Sequence, residues 1–169
     1  APGAASGQAG EGLAYLHYGG VAGISPTPAL TLEADVANAA FGTSVASAGD
    51  VNGDGYADVI IGAPQSGGTG MAYIHHGSAG GLGTSPALVL NGVAGSLFGT
   101  SVFKAGDHNY DGYSDVIVGA PGENRVYVYQ GSITGLDPTP VILNSPYPNA
   151  AFGSSVCTAG DVNGDGLSD

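Results

Sequence analysis

The sequence predicts an all-β domain assembled from a repeated unit of four short strands, and three observations carry that expectation. Short apolar runs alternate with clusters of Gly, Pro, Asn and Asp, the punctuation of strands joined by tight turns. A Phe-Gly-Thr/Ser-Ser-Val run recurs at Phe41, Phe98 and Phe152. A nine-residue acidic stretch, Asp-x-Asn-x-Asp-Gly-x-x-Asp, follows each run, at Asp50–Asp58, Asp107–Asp115 and Asp161–Asp169. Gly is abundant but has no three-residue period, which excludes collagen, and 43% hydrophobic residues are too many for a disordered chain. At 169 residues the chain suits one domain or part of one.

Each unit offers strands A to D. In the second unit A is Phe41–Ala48, B is Asp58–Gly62, C is Gly70–His76 and D is Ala87–Leu90. Strand A alternates a large face (Phe41, Thr43, Val45, Ser47) with a small one (Gly42, Ser44, Ala46, Ala48), as suits a strand between two neighbouring sheets. Strand B is apolar throughout, which predicts burial on both faces. The third unit repeats the order with Val116–Pro121, Arg125–Gly131 and Pro140–Leu143. Leu13–Gly19 matches strand C, Pro28–Leu32 matches strand D, and Ala1-Pro2 aligns with the Ala63-Pro64 that ends strand B. The expected division is therefore 1–40 for strands C and D of a first unit, 41–97 for the second, 98–151 for the third, and 152–169 for strand A and acidic loop of a further or ring-closing unit. Asp169 is the last residue of its loop, so the sequence reads as a segment of a longer protein or a chain whose ends meet in one imperfect unit.

Nine of the eleven Asp residues lie in the loops, leaving only Asp35 and Asp137 outside. Oxygen donors stand at positions 1, 3, 5 and 9, and a main-chain carbonyl at position 7 supplies another. Hard cations such as calcium take six to eight oxygens, and alternating Asp/Asn with Gly at the sharp turn delivers them. The formal charge is −12, with Lys104 and Arg125 the only fixed cations, so nucleic acid and anionic membranes are poor partners. Three divalent ions would halve that charge. Without them, crowded carboxylates repel, so stability is expected to depend on the cation. No apolar run approaches the ~18 residues of a membrane span.

The combination Phe-Gly … Asp-x-Asn-x-Asp-Gly-x-x-Asp … Gly-Ala-Pro resembles the FG-GAP repeat, which builds the β-propeller head of integrin α subunits, and the resemblance covers nearly the whole chain. It implies β-propeller blades of four antiparallel strands, about three of them in an incomplete ring, with Ca²⁺ in the A–B hairpin loops. Residue by residue, it implies a first site of Asp50, Asn52, Asp54, the Tyr56 carbonyl and Asp58. A second would use Asp107, Asn109, Asp111, the Tyr113 carbonyl and Asp115, and a third Asp161, Asn163, Asp165, the Leu167 carbonyl and Asp169. Two departures stand out. Tyr110 replaces the Gly of position 4, where a bulky side chain strains a tight loop, and Asp169 is terminal. Two or three calcium sites are expected, and a propeller normally needs four to eight blades to close. Further blades in the same protein or self-association are therefore expected.

The remaining chemistry-bearing residues read as structural. His17, His75, His76 and His108 have no Ser, Cys or paired carboxylates placed beside them by the sequence. Tyr15, Tyr18, Tyr73, Tyr127 and Tyr129 recur on strand C and are expected to pack between blades. The single cysteine, Cys157, takes the place of Ala46 and Phe103 and is expected as a buried small hydrophobe. The favoured function is a calcium-stabilised, non-enzymatic binding or adhesion module, secreted or at the cell surface, with an unidentified protein or glycan ligand. The alternatives are a unit that assembles into a larger propeller, fibre or surface layer, and an accessory domain of a larger secreted hydrolase.

Overall fold

A computed structural model describes residues 1–4 and 7–169. Among them there is no α-helix, and the strands sort into separate antiparallel sheets that close no ring. The first sheet pairs β1 (Leu13–Leu16) with β4 (Leu30–Glu33), joined through a small hairpin of β2 (Gly19–Gly20) and β3 (Gly23–Ile24). The second runs in sequence order as β5 (Ser44–Gly49), β6 (Asp58–Ala63), β7 (Met71–His75) and β8 (Leu88–Asn91). The third repeats it as β9 (Ser101–Gly106), β10 (Asp115–Ala120), β11 (Arg125–Tyr129) and β12 (Val141–Asn144). Strands A to D of the sequence are thus β5–β8 and β9–β12, with ends within one to three residues of expectation.

The alternation of strand B explains how the sheets stack. Ile60 turns into a core with Ala72, Ile74, Phe98, Val116 and Tyr127, between the second and third sheets. Its neighbours Ile61 and Ala63 turn the other way, into a core with Leu32, Phe41 and Tyr73 between the first and second sheets. Period-two side chains on an all-apolar strand thus bury both faces at once. Strand A serves the same stacking with its small face. The Val102 N–H of β9 donates to Ser44 Oγ of β5 (3.0 Å), and Val156 N–H repeats the bond to Ser101 Oγ (3.1 Å).

The Phe-Gly and Gly-Ala-Pro elements meet across the sheets. Phe41 and Phe98 are fully buried and meet Tyr73 and Tyr127 edge-on, at centroid distances of 5.2 and 5.3 Å. Gly99 N–H donates to Gly119 O of its own sheet (3.0 Å), while its backbone lies against Gly62 of the sheet before, where any Cβ would overlap the Gly99 carbonyl oxygen. Gly153 lies on Gly119 in the same way. At the start of the chain, Ala1 and Leu13 exchange both main-chain bonds (2.8 and 3.0 Å), so Ala1 stands beside β1 as Ala63 stands beside Met71 of β7.

Four expectations differ. Residues 152–169 form no strand, and among the described residues no strand pairs with them; Phe152 is partly exposed. Cys157 is exposed rather than buried, at the mouth of a shallow hollow with Ile117 and Val128. The large face of strand A is open at Val45, which lines an apolar groove of about 830 Å³ beside β1. Tyr15 and Tyr18 line that groove and are half exposed, whereas Tyr73, Tyr127 and Tyr129 pack between sheets as expected.

The glycine contact gives a direct test. Gly62→Ala forces the two sheets apart against rigid backbone and should cost about 2–3 kcal/mol in urea unfolding. Gly19→Ala, where a Cβ meets nothing within 4 Å, should change stability by less than about 0.5 kcal/mol.

Candidate metal centre

The first two acidic loops connect strand A to strand B, the third follows the run at Phe152, and each is shaped by its own main chain. In the first, Asp50 Oδ1 accepts from Gly53 N–H (2.7 Å) and Asp54 N–H (3.1 Å), while Oδ2 accepts from Gly55 N–H (2.8 Å). Asn52 Oδ1 accepts from Asp54 N–H, its amide donates to Asp54 Oδ2 (3.0 Å), and Asp54 Oδ1 accepts from Tyr56 N–H (2.9 Å). Asp107, Asn109 and Asp111 repeat the pattern with Gly112 and Tyr113, and Asp161, Asn163 and Asp165 with Gly166 and Leu167. Such turns compete with regular structure because short polar side chains satisfy nearby amides. In the third loop these amides, the Gly166 N–H foremost, hold the Asp161 carboxyl below its ordinary range.

Position 4 needs a left-handed backbone, with φ of +73° at Gly53 and +77° at Gly164. Tyr110 adopts +62° there, so the strain expected from its side chain is present.

Position 9 behaves differently. Asp58 and Asp115 are fully buried and serve as clamps. Asp58 Oδ2 accepts from Val51 N–H and its Oδ1 from Gly77 N–H, both at 2.8 Å, tying the start of the loop to the end of β7. Asp115 does the same with His108 N–H (2.9 Å) and Gly131 N–H (2.8 Å). Burial raises the Asp58 pKa, against the two main-chain bonds that favour its charged form. Asp169 keeps the loop bond, from Val162 N–H (2.9 Å), but is exposed.

The donors fit a hard cation in kind: every one is a carboxylate or amide oxygen, and the carboxylates at positions 1 and 5 are already fixed by the main chain. Positions 1, 3 and 5 are brought together by shared hydrogen bonds, while at position 9 Asp58 and Asp115 are buried in their clamps and Asp169 is not. Consequently no loop gathers three carboxylates within 4.8 Å of one another. Among the described residues the set that does so is Glu11, Glu33 and Asp35, at the edge of the first sheet. Sequence reasoning passed over this cluster because its members are scattered along the chain with no spacing signal. Glu11 is buried and accepts from Gly7 and Gln8 N–H, and burial, then the charges of Glu11 and Asp35, raises the Glu33 pKa.

The histidines fall into distinct settings. His17 is exposed beside Ser25 O, and His76 leans on Asn52 of the first loop (3.4 Å). His108 Nδ1 lies 2.5 Å from Asp115 Oδ2, the position-9 carboxylate of its own loop. His75 is buried, bonded through Nδ1 to Gly83 O (2.9 Å), with Nε2 unpartnered.

Stacked four-stranded antiparallel sheets in sequence order, with an acidic hairpin between the first two strands of each, define β-propeller blades. Family comparison agrees. The FG-GAP repeat model matches residues 41–75, and the FG-GAP-like repeat model matches residues 107–169. Integrin alpha pat-2 of Caenorhabditis briggsae is 46% identical over 82 residues, and human integrin alpha-6 is 41% identical over 73. Chicken integrin alpha-V is 35% identical over 147 residues, taking in 76% of this chain. The chain is an FG-GAP repeat domain of the integrin-α-like family. It spans only 7%, 6% and 14% of those three relatives.

Two measurements follow from this geometry. Tyr110→Gly should raise the unfolding free energy by about 0.5–1 kcal/mol in urea titration, because relief of left-handed strain exceeds the added chain entropy. His75 has its pKa lowered, by burial above all, so the unfolded chain binds its proton more readily. The associated stability is complete above the ordinary imidazole value of about 6.5 and is lost progressively as pH falls from there toward the lowered folded value. His75→Phe should therefore flatten the fall in melting temperature between neutral and mildly acidic pH.

Proposed function

We propose that this chain is a calcium-stabilised, integrin-like β-propeller module that binds a protein or glycan outside the cell and performs no catalysis. The observation that carries this reading is the threefold use of one oxygen-rich loop, in which the same hydrogen bonds join positions 1, 3 and 5. The ligands are those of the loop motif: Asp50, Asn52, Asp54, Asp58 and the Tyr56 carbonyl, then Asp107, Asn109, Asp111, Asp115 and the Tyr113 carbonyl. A third, more open set is Asp161, Asn163, Asp165, Asp169 and the Leu167 carbonyl. Bound calcium would neutralise the crowded carboxylates and hold each A–B hairpin in register. The relatives are named as integrin α chains, which supports adhesion and an extracellular setting. The first two loops lie within regular hairpins of a repeated blade rather than in a cleft, which supports a structural role for the ion.

A second reading concerns assembly. Two apolar surfaces remain open among the described residues: the groove beside β1, and the edge strand β12 of the third sheet, where Val141, Ile142 and Leu143 are each 44–50% exposed. Faces of this kind on a blade suit packing against further blades or a second copy. Sedimentation in calcium that finds only a folded monomer would remove self-association.

Calcium titration tests the main reading. At a hundredfold excess over Kd each occupied site adds about 2.7 kcal/mol, so the melting temperature should rise by about 5 °C or more. An unchanged melting temperature across the titration would sink it.

A further inference from the structure

The three loops are not isolated from one another, and one main-chain path joins each to the next. Ser114 N–H, at position 8 of the second loop, donates to the Asp50 carbonyl at position 1 of the first (2.9 Å). Every peptide bond among the described residues is trans, so the N–H and C=O of one peptide unit point in opposite directions. The unit that carries Ser114 N–H also carries the Tyr113 carbonyl, the position-7 oxygen of the second loop. The path continues beyond Asp50. The peptide unit of its carbonyl also holds Val51 N–H, which donates to Asp58 Oδ2 at position 9 (2.8 Å). Two peptide units therefore run from the position-7 oxygen of one loop to the position-9 carboxylate of the previous one.

The same path recurs between the second and third loops. Ser168 N–H faces the Asp107 carbonyl at 3.4 Å, and His108 N–H donates to Asp115 Oδ2 at 2.9 Å. Side chains seal both junctions. Gly49 lies under Ser114 and Gly106 under Ser168, so closely that neither admits a Cβ, and the Tyr113 ring covers Gly53. Ser132 N–H adds a bond to the Val51 carbonyl (3.1 Å), tying the first loop to the chain after β11.

We infer that the cation sites of neighbouring blades are positively coupled through these relays, so that filling one loop raises the affinity of the next. The inference rests on the calcium reading proposed above. Two physical effects give the sign. A divalent ion drawing on the Tyr113 carbonyl makes Ser114 N–H a stronger donor, which tightens the hydrogen bonds that hold the first loop in shape, although the same polarisation draws some electron density from the Asp58 carboxylate. It also fixes the peptide that the Asp50–Asp58 loop leans on, so ordering already present need not be supplied again when the second ion binds. Repulsion between the ions opposes both, but it acts between rim loops open to water, where solvent and salt screen it. The longer Ser168 bond makes the second junction the weaker one. Coupling is reciprocal, as any linkage between binding equilibria must be.

Amide NMR during a calcium titration of the whole chain reads each loop separately. Gly55, Gly112 and Gly166 each donate to the position-1 carboxylate of their own loop and serve as equivalent reporters. Asp111→Asn weakens the second site yet keeps the oxygen that accepts from Tyr113 N–H. It should move the Gly55 midpoint to about fivefold higher calcium, and Asp54→Asn should move the Gly112 midpoint by the same factor. Asp165→Asn should move Gly112 by less. Should Asp111→Asn unfold, the wild-type curves decide: Gly55 and Gly112 must rise more steeply than a single-site isotherm. Single-site curves with unmoved midpoints would overturn the coupling while leaving calcium binding intact. No calcium response at any of the three glycines would instead overturn the calcium reading on which the coupling rests.

Discussion

The buried carboxylate at the end of each loop is the constraint on which the blades depend. Asp58 and Asp115 sit at zero exposure, and each spends both oxygens on main-chain amides from two different connections. An unmade bond to such a group costs the full desolvation of the orphaned partner. One residue therefore fixes where strand B begins, where the A–B loop enters and where strand C ends. Asp169 shows the motif without this enclosure: it keeps the loop bond, lies exposed, and the residues before it form no strand.

Much of this was legible in the sequence because the repeat supplies its own controls. The all-apolar run at Val59–Ile61 announced burial on both faces, and Ile60 and Ile61 do enter cores on opposite sides of their sheet. The FG and GAP elements were visible as a pattern but not as a contact. Nothing in one-dimensional spacing reveals that Gly99 must touch Gly62 of the preceding sheet, since the pairing is between units rather than within one. Exposure failed where the neighbour was missing. Cys157, Val45 and Tyr15 carry the pattern of packed residues, and pattern alone does not say whether a second surface lies opposite.

The loops divide in the same manner. Spacing identified positions 1, 3 and 5 as one polar cluster, and the structure joins them by the same hydrogen bonds three times over. It did not show that the position-9 carboxylate also accepts two main-chain bonds, one from its own loop and one from the end of strand C. The contact of His108 with Asp115 was likewise invisible, since positions 2 and 9 meet only when the hairpin closes. Glu11, Glu33 and Asp35 lacked any motif and converge through the pairing of β1 with β4.

Two kinds of linkage thus run along the stack, and they differ in what they transmit. Contact between sheets is made of glycine backbone, buried aromatic rings and branched aliphatic side chains, which fix distance and angle but carry no charge. Contact between loops is made of aligned peptide dipoles ending on carboxylates, so it responds to charge placed on the rim. A chain with formal charge −12 and two fixed cations concentrates its repulsion on that rim. Neutralising the rim would therefore tighten the stack along its acidic edge. On the calcium reading, the ion's role follows from this division: the core sets the shape of each blade, and the loops set how firmly one blade holds the next.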